Sequence, residues 1–230
     1  MKTNQEYKNS ALAALKGNWA PSVVATIIIF ALAIIMIVPS AVLEGAGQAA
    51  TDMGHATSAT ATIGIISFAL MLLLPLLVYY PLCYVGYSNT FRQLLVNGDA
   101  RVTSNMFSNT FKGYWRNVWG GFLMMLFTYL WMLLLIVPGI IKAFAYSMTP
   151  YILKDYPELS ANQAINLSIK MMKGHKFDYF YLQLSFIGWG LLSILTLGIG
   201  YIWLMPYMYA SMAAFYEDIK NDYINKTTNL

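Results

Sequence analysis

The residues that could support catalysis or metal binding are few in this chain, and they do not converge. There are two histidines, His55 in a stretch of small polar residues and His175 beside a Lys-Gly pair, and the predicted topology places them on opposite sides of a membrane. The single cysteine, Cys83, lies in an apolar run and has no partner for a disulfide or a cysteine-based metal site. No His-Glu-x-x-His motif, Gly-x-Ser-x-Gly motif or phosphate-binding glycine-rich loop occurs. We therefore expect a protein that is not an enzyme and that uses no metal or cofactor.

Lys142 is the one charged residue close to an apolar zone. It follows Pro138-Gly139, where a broken helix would expose backbone groups of the kind that form transporter sites. The simpler interpretation, which we favour, is that Lys142 extends to the membrane surface just past a turn. Polar residues nearby could line a cavity, although such residues more commonly hold membrane helices together. The candidate cavity or hinge residues are Pro138, Gly139, Lys142, Tyr146, Thr149, Gln183, Ser185 and Pro206.

The composition indicates a membrane protein. Hydrophobic residues make up 58% of the chain and charged residues 10%, against about 25% charged residues in a soluble globular domain. The formal net charge of +4 is better explained by membrane orientation, which follows the positions of Lys and Arg, than by nucleic-acid binding. The expected partners are the lipid bilayer and either a membrane protein or a small-molecule substrate, with no nucleic acid.

An uncharged run extends from Tyr179 to Tyr216. As one helix it would be about 57 Å long, nearly twice the roughly 30 Å of a bilayer's hydrocarbon core. The run must therefore reverse, and Gly198-Ile199-Gly200 is the turn signal near its middle. Two spans are predicted here, Tyr179 to Leu197 and Tyr201 to Tyr216.

Four further apolar spans precede this pair. A loop of small polar residues, Gly45 to Thr62, separates the first two, and Pro138-Gly139 separates the next two. Pro75 and Pro81 interrupt the second span, where they would kink the helix without preventing it from crossing. The predicted spans are Trp19 to Val42, Ile63 to Val85, Val118 to Val137 and Ile140 to Leu153, the last short enough to be re-entrant.

The distribution of basic residues fixes the predicted topology. Placing the lysines from Lys154 to Lys176 on the same side as Lys112 and Arg116 requires an even number of crossings between them. Six spans result, with both termini in the cytoplasm. In a five-span alternative Pro138 only kinks the helix, and the cluster from Lys170 to Lys176 lies outside the cell.

An internal repeat follows from this topology. A Lys-Gly pair with an aromatic residue close behind precedes each odd-numbered span, and capping patterns at Thr3 with Glu6 and at Ser160 with Gln163 begin short amphipathic helices before two of them. The chain is predicted to be one membrane domain (1–218) of three helical hairpins (about 1–98, 101–157 and 158–218), each preceded by a cytoplasmic amphipathic segment. A solvated tail (219–230) follows. The basic and aromatic interfacial anchors are Lys16, Trp19, Lys112, Trp115, Lys173 and Lys176.

Several of these motifs also resemble a known family. The segments that carry the resemblance are Ala14-Leu15-Lys16-Gly17-Asn18-Trp19, Pro138-Gly139-Ile140-Ile141, residues 146–153, Met172-Lys173-Gly174-His175-Lys176, residues 184–189, residues 195–200, Pro206-Tyr207 and Ala214-Phe215-Tyr216. Together they closely resemble the bacterial integral membrane family catalogued as domain of unknown function 975. The resemblance implies a multi-span protein of the bacterial cytoplasmic membrane, mostly in Gram-positive and gut bacteria, and it implies no activity.

Two functional hypotheses follow. The first is a non-catalytic membrane protein that acts through protein partners or lipids, as an accessory, envelope-stress or immunity factor, because basic amphipathic segments suit an anionic membrane surface. The alternative is a small-molecule transporter or channel with its site near Pro138-Gly139. A water-accessible cavity that reaches Lys142 or Gln183 would favour transport.

Overall fold

The computed structural model describes residues 1–52 and 58–228, and all regular secondary structure in these two ranges is helical. The predicted all-α class is confirmed. The α-helices are α1 (Asn4–Leu15), α2 (Trp19–Asp52), α3 (Ser58–Leu74), α4 (Ser88–Asn97), α5 (Val102–Phe111), α6 (Tyr114–Leu134), α7 (Ile136–Tyr146), α8 (Thr149–Asp155), α9 (Ala161–Met171), α10 (Lys176–Leu184), α11 (Ile187–Leu195) and α12 (Tyr201–Thr228). Two π-helical segments, Pro75–Tyr79 and Pro81–Tyr87, join α3 to α4.

The first hairpin consists of α2 and the long helix that begins with α3. Thr26, near the start of α2, shares a 2.6 Å hydrogen bond with the hydroxyl of Tyr87. Farther along, the hydroxyl of Ser67 donates to the carbonyl of Ser40 and to the carboxylate of Glu44, at 3.3 and 2.9 Å. Early residues of α2 thus meet late residues of its partner, so the two helices are antiparallel.

The loop predicted at Gly45 to Thr62 is largely helical. Helix α2 continues to Asp52 and α3 already begins at Ser58, so the prediction was wrong for these residues. Gly47 of α2 faces Ile63 of α3, so the two helices still pack against each other within this stretch. His55 lies outside the described residues.

The helix continues through Pro75 and Pro81. Proline has no N–H to donate, so the regular i to i−4 hydrogen-bond ladder cannot continue, and the chain widens locally into π-helix. The backbone stays in the right-handed helical region at Leu74 and Tyr80, and residues 58–97 form one continuous helix.

The second hairpin consists of α6 and α7. The ammonium of Lys142 lies over the ring of Trp131, 4.7 Å from its centroid, and one turn along, the rings of Phe127 and Tyr146 are 6.4 Å apart. Residue numbers rise along α7 where they fall along α6, so the two helices are antiparallel and the chain reverses between them.

The position of this reversal differs from the prediction. The backbone is extended at Leu135, while Pro138 and Gly139 lie in the first turn of α7. A proline in a first helical turn removes no hydrogen bond, because the N–H groups there have no partner within the helix. Gly139 is needed for close approach, since a Cβ at this position would lie 2.8 Å from the Cα of Met132.

The third hairpin turns at the predicted glycines. Leu197 and Gly198 both have positive φ angles, 54° and 87°, and α12 begins at Tyr201. The predicted span from Tyr179 to Leu197, however, is divided at Ser185 into α10 and α11. The carbonyl of Ser185 accepts a 3.0 Å hydrogen bond from the ammonium of Lys8, in place of the bond that a continuous helix would supply.

Helix α12 extends beyond the third hairpin. Where the sequence predicts a solvated tail from residue 219, the helix continues to Thr228 and buries Ile219 completely. After Ile219, the first exposed side chain of α12 is that of Asn221.

A short helix and a Lys-Gly turn precede each hairpin. The two predicted capping boxes are present at Thr3 and Ser160, where α1 and α9 begin, and α5 is the corresponding short helix of the second hairpin. Gly17, Gly113 and Gly174 have φ angles of 85°, 74° and 92°, a left-handed conformation that glycine adopts without steric cost.

The outer parts of the hairpins present apolar side chains to the surroundings. The described part of the chain contains four helical stretches long and apolar enough to cross a membrane, namely Trp19–Ala49, Thr60–Asn97, Tyr114–Leu134 and Ile136–Asp155. These four coincide with the first four predicted spans. The last two predicted spans are not among them, because α10 and α11 have nine residues each and α12 meets Glu217 before completing 18 apolar residues.

Candidate functional site

The C-terminal part of α12 holds the ends of the other helices together through an ion-pair network. Arg92 of α4 contacts the carboxylate of Asp155, at the end of α8, at 2.6 Å, and its Nε contacts Glu217 of α12. Lys220, one turn farther along α12, reaches the second oxygen of Asp155 at 2.7 Å. The side chains of Arg92 and Asp155 are only 16% and 12% exposed, so this network is largely shielded from solvent.

Aromatic rings complete this network. The hydroxyl of Tyr216 donates a 2.7 Å hydrogen bond to Asp155, and its ring stacks on that of Tyr151 with centroids 4.8 Å apart. The guanidinium of Arg92 lies 5.3 Å from the centroid of the same Tyr216 ring. Helices α4, α8 and α12 therefore meet at one polar cluster.

This cluster is not among the features predicted from the sequence. A signal was present, since each return helix has a charged residue shortly after its apolar stretch, at Arg92, Asp155 and Glu217. Their mutual contact depends on helix directions that the sequence alone does not fix.

Two further contacts bind α12 to α1 and to the turn before α10. The hydroxyl of Tyr7 in α1 donates a 2.6 Å hydrogen bond to Asp218, and burial together with this bond raises the pKa of the phenol. The imidazole of His175 lies 3.1 Å from the carboxylate of Asp222. Hydrogen bonding from Lys226, and to a smaller extent from His175, lowers the pKa of the Asp222 carboxyl. Residues 216–222 of α12 thus contact every hairpin unit.

A polar cavity of about 270 Å³ lies next to the ion-pair network. Four helical segments contribute to its walls: the π-helical segment with α4, the junction of α7 and α8, α10, and α12. The lining residues are Tyr84, Ser88, Ser147, Pro150, Tyr151, Tyr179, Gln183, Tyr209 and Met212. Along the wall formed by α10, Gln183 donates a 2.9 Å hydrogen bond to the hydroxyl of Tyr179, one turn earlier in the same helix.

The predicted cavity residues divide into two groups. Gln183 lines the cavity, and Tyr146 and Thr149 flank the lining residues of the α7–α8 junction without lining the space themselves. The hydroxyl of Thr149 is buried without a hydrogen-bond partner among the described residues. The hydroxyl of Ser185 donates its hydrogen bond to the carbonyl of Leu182, in the last turn of α10.

The remaining predicted site residues lie elsewhere. Lys142 interacts with Trp131 on the outer face of the second hairpin, Pro138 and Gly139 are at the start of α7, and Pro206 is buried within α12. The structure therefore does not bring Lys142 together with Gln183. Four tyrosines that also line the cavity, Tyr84, Tyr151, Tyr179 and Tyr209, are not among the cavity residues predicted from the sequence.

The predicted anchors lie in the three Lys-Gly turns, beside exposed aromatic rings. Trp115 and Phe177 are each 75% exposed, next to Lys112 and Lys176 respectively. An apolar groove of about 560 Å³ runs between α7 and the third turn. Its walls include Val137, Ile141, Phe144, Phe177 and Phe180, and Lys173 and Lys176 lie at the same groove. In the first turn, Lys16 is exposed and Trp19 lines a second groove with the tip of the third hairpin.

Within residues 1–52 and 58–228, no group of three His, Cys, Asp or Glu side chains is arranged to hold a metal ion. His175, the one histidine in these ranges, is engaged by Asp178 and Asp222.

Comparison with known proteins places this chain in a family whose function is not assigned. Residues 65–223 match a family described as "Protein of unknown function (DUF975)". The match covers well over half of the chain, and the chain belongs to this family. No curated protein and no solved structure matches it.

Proposed function

We propose that this chain is a non-catalytic integral membrane protein of the bacterial cytoplasmic membrane that acts through lipids or protein partners, in an accessory, envelope-stress or immunity role. The observation that carries the proposal is the division of its charged residues into two sets. Arg92, Asp155, Glu217 and Lys220 bind the chain to itself. The lysines of the Lys-Gly turns have no carboxylate partner among the described residues, and in the second and third turns they stand beside the exposed rings of Trp115 and Phe177, which suits contact with an anionic membrane surface.

The turns are better suited to this role than the short helices. Helix α1 buries Tyr7, Ala11 and Leu15 inside the protein, and α9 likewise buries Ala164 and Ile165. These apolar faces are consequently occupied by the chain's own helices and are not free to enter a lipid leaflet.

For the topology, we propose three hairpins that leave the cytoplasmic face and return to it, six spans in all, with both termini in the cytoplasm. The antiparallel pairing of α6 with α7 supports this scheme over the five-span alternative, because a simple kink at Pro138 would not reverse the chain. The third hairpin fits this six-span scheme least well. Helix α11 is only about 14 Å long, and the tip at Gly200 shares a groove with Trp19.

Charge reversal in the turns should weaken the association with anionic lipid. In a variant with Lys112, Lys173 and Lys176 changed to Glu, we expect the ratio of phosphatidylglycerol to phosphatidylethanolamine that co-purifies to fall at least about fivefold, since each basic residue near an anionic surface contributes about 1 kcal/mol. Mass spectrometry of the extracted lipids measures this ratio. A charge-matched control changes Lys2, Lys170 and Lys226, which are not next to the exposed aromatic rings. An equal fall in both variants would contradict the assignment to the turns, and an unchanged ratio would contradict lipid action as a whole.

One observation favours a second candidate function, a small-molecule transporter. The polar cavity reaches Gln183, as this hypothesis requires, although it does not reach Lys142 or the break at Pro138-Gly139. A transport site, if this candidate is correct, is therefore centred on the cavity and not on Lys142.

A further inference from the structure

The polar cavity has hydrogen-bonding groups that the protein leaves unused. The hydroxyls of Tyr84, Tyr151 and Tyr209 have no hydrogen-bond partner in the described part of the chain, and they lie within electrostatic range of one another. The amide nitrogen of Gln183 donates to the hydroxyl of Tyr179 and to the sulfur of Met212, and its carbonyl oxygen remains available as an acceptor. A polar molecule bound in the cavity would supply the hydrogen bonds that these groups do not make within the protein.

The backbone around the cavity is irregular on three sides. Tyr84 lies in a π-helical segment, a rare conformation that occurs frequently at functional sites. Ser147 lies at the break between α7 and α8, and α10 ends at Leu184, just beyond Gln183. Membrane proteins place small-molecule sites at such broken helices.

The charge of the cavity walls restricts the ligand. All nine lining residues are uncharged. The ion-pair network begins one helical turn away, with Arg92 following Ser88 on α4 and Asp155 following Tyr151 on α8, and its two cations are paired with carboxylates. A charged ligand would have to lose its hydration without a counter-charge in the walls, which is costly. An uncharged ligand would exchange its hydrogen bonds with water for bonds to the tyrosines and Gln183.

From these observations we propose that the cavity is a binding site for a small uncharged molecule with several hydrogen-bonding groups. The volume of about 270 Å³ corresponds to about nine water molecules at roughly 30 Å³ each, which is the size of a monosaccharide or a nucleobase. The tyrosine rings and Met212 contact its apolar parts, while the hydroxyls and Gln183 fix its orientation. The inference deepens the second candidate function by naming its substrate class, but the site binds its ligand whether or not the ligand is then transported.

The test is equilibrium binding to the full-length protein in lipid nanodiscs, followed by saturation-transfer NMR. The uncharged probes are glucose and uracil, and the charged probes are choline and lactate. We expect an uncharged probe to bind, with affinity reduced about three- to tenfold by Tyr209→Phe and by Gln183→Leu, since each variant removes hydrogen-bonding capacity. Ser185→Ala is the matched control, because its hydroxyl bonds within α10 and does not line the cavity.

The outcomes separate the two proposals. If neither uncharged probe binds, or if the cavity variants leave binding unchanged, the proposed site is wrong. Binding of choline or lactate that these variants reduce would overturn the uncharged class. Binding of glucose or uracil without uptake into proteoliposomes would leave the site standing and remove only the transport function. Tyr209→Phe keeps the ring in place, and an unchanged melting temperature for this variant ensures that lost binding is not lost folding.

Discussion

Asp155→Asn should destabilise the protein by about 3 kcal/mol, because it removes a carboxylate from a shielded ion-pair network and leaves Lys220 without a carboxylate partner and Arg92 with Glu217 alone. Asp155 is the acceptor for Arg92, Lys220 and the hydroxyl of Tyr216, so one substitution weakens the attachment of α4 and α8 to α12 together. The measurement is thermal unfolding of the detergent-solubilised protein, followed by tryptophan fluorescence.

The matched control is Asp99→Asn. This carboxylate pairs with Arg101, whose side chain is 78% exposed, and surface pairs of this kind contribute little to stability because solvent screens them. A melting temperature for Asp155→Asn that falls no further than that of Asp99→Asn would show that the network does not hold the hairpins together.

Gly139→Ala should destabilise the second hairpin by about 1–3 kcal/mol or more, the usual cost of overpacking. The added Cβ would lie 2.8 Å from the Cα and 2.9 Å from the amide nitrogen of Met132, and backbone atoms cannot move aside as a flexible side chain can. Helices α6 and α7 would have to separate near Leu135.

Gly188→Ala serves as the comparison for this substitution. Gly188 is also in the first turn of a helix, α11, and a Cβ there meets nothing within 4 Å. Because alanine favours the helix over glycine, this variant should be neutral or slightly stabilising. Equal melting temperatures for Gly139→Ala and Gly188→Ala would contradict the close approach of α7 to α6.

The sequence was sufficient for features that depend on local chemistry. The capping boxes at Thr3 and Ser160, the turn at Gly198 and the first four apolar helices follow from residue types at fixed short spacings, and the structure contains all of them. The reversal of the second hairpin was expected near Pro138-Gly139 and occurs at Leu135, because proline is compatible with the first turn of a new helix as well as with a β-turn.

The features that sequence reasoning could not supply depend on contacts between distant segments. The helix is interrupted at Ser185, whose carbonyl accepts a hydrogen bond from the distant Lys8. The stretch after residue 218 begins with Ile219, which is fully buried in the protein. The cavity is a similar case. Gln183 was identified as polar within an apolar run, but its tyrosine neighbours come from four different segments, and tyrosines in a membrane helix are equally typical of interfacial anchors.

A cysteine-labelling test of the topology needs positions that are exposed and that tolerate the substitution. Cysteine at Gly139 would collide with Met132, and His175 is held by Asp222, so neither position reports accessibility alone. Leu135 and Ile199 are exposed at the tips of the second and third hairpins, and Lys173 is exposed in a turn.

The most direct test of the three-hairpin topology is therefore cysteine labelling in a Cys83→Ala background with a membrane-impermeant maleimide. If both hairpin tips lie outside the cytoplasm, we expect Leu135→Cys and Ile199→Cys to react in intact cells, whereas Lys173→Cys reacts only after the membrane is permeabilised. Reaction of Lys173→Cys in intact cells would contradict the cytoplasmic location of the turns, and tips that react in neither condition would contradict the six spans.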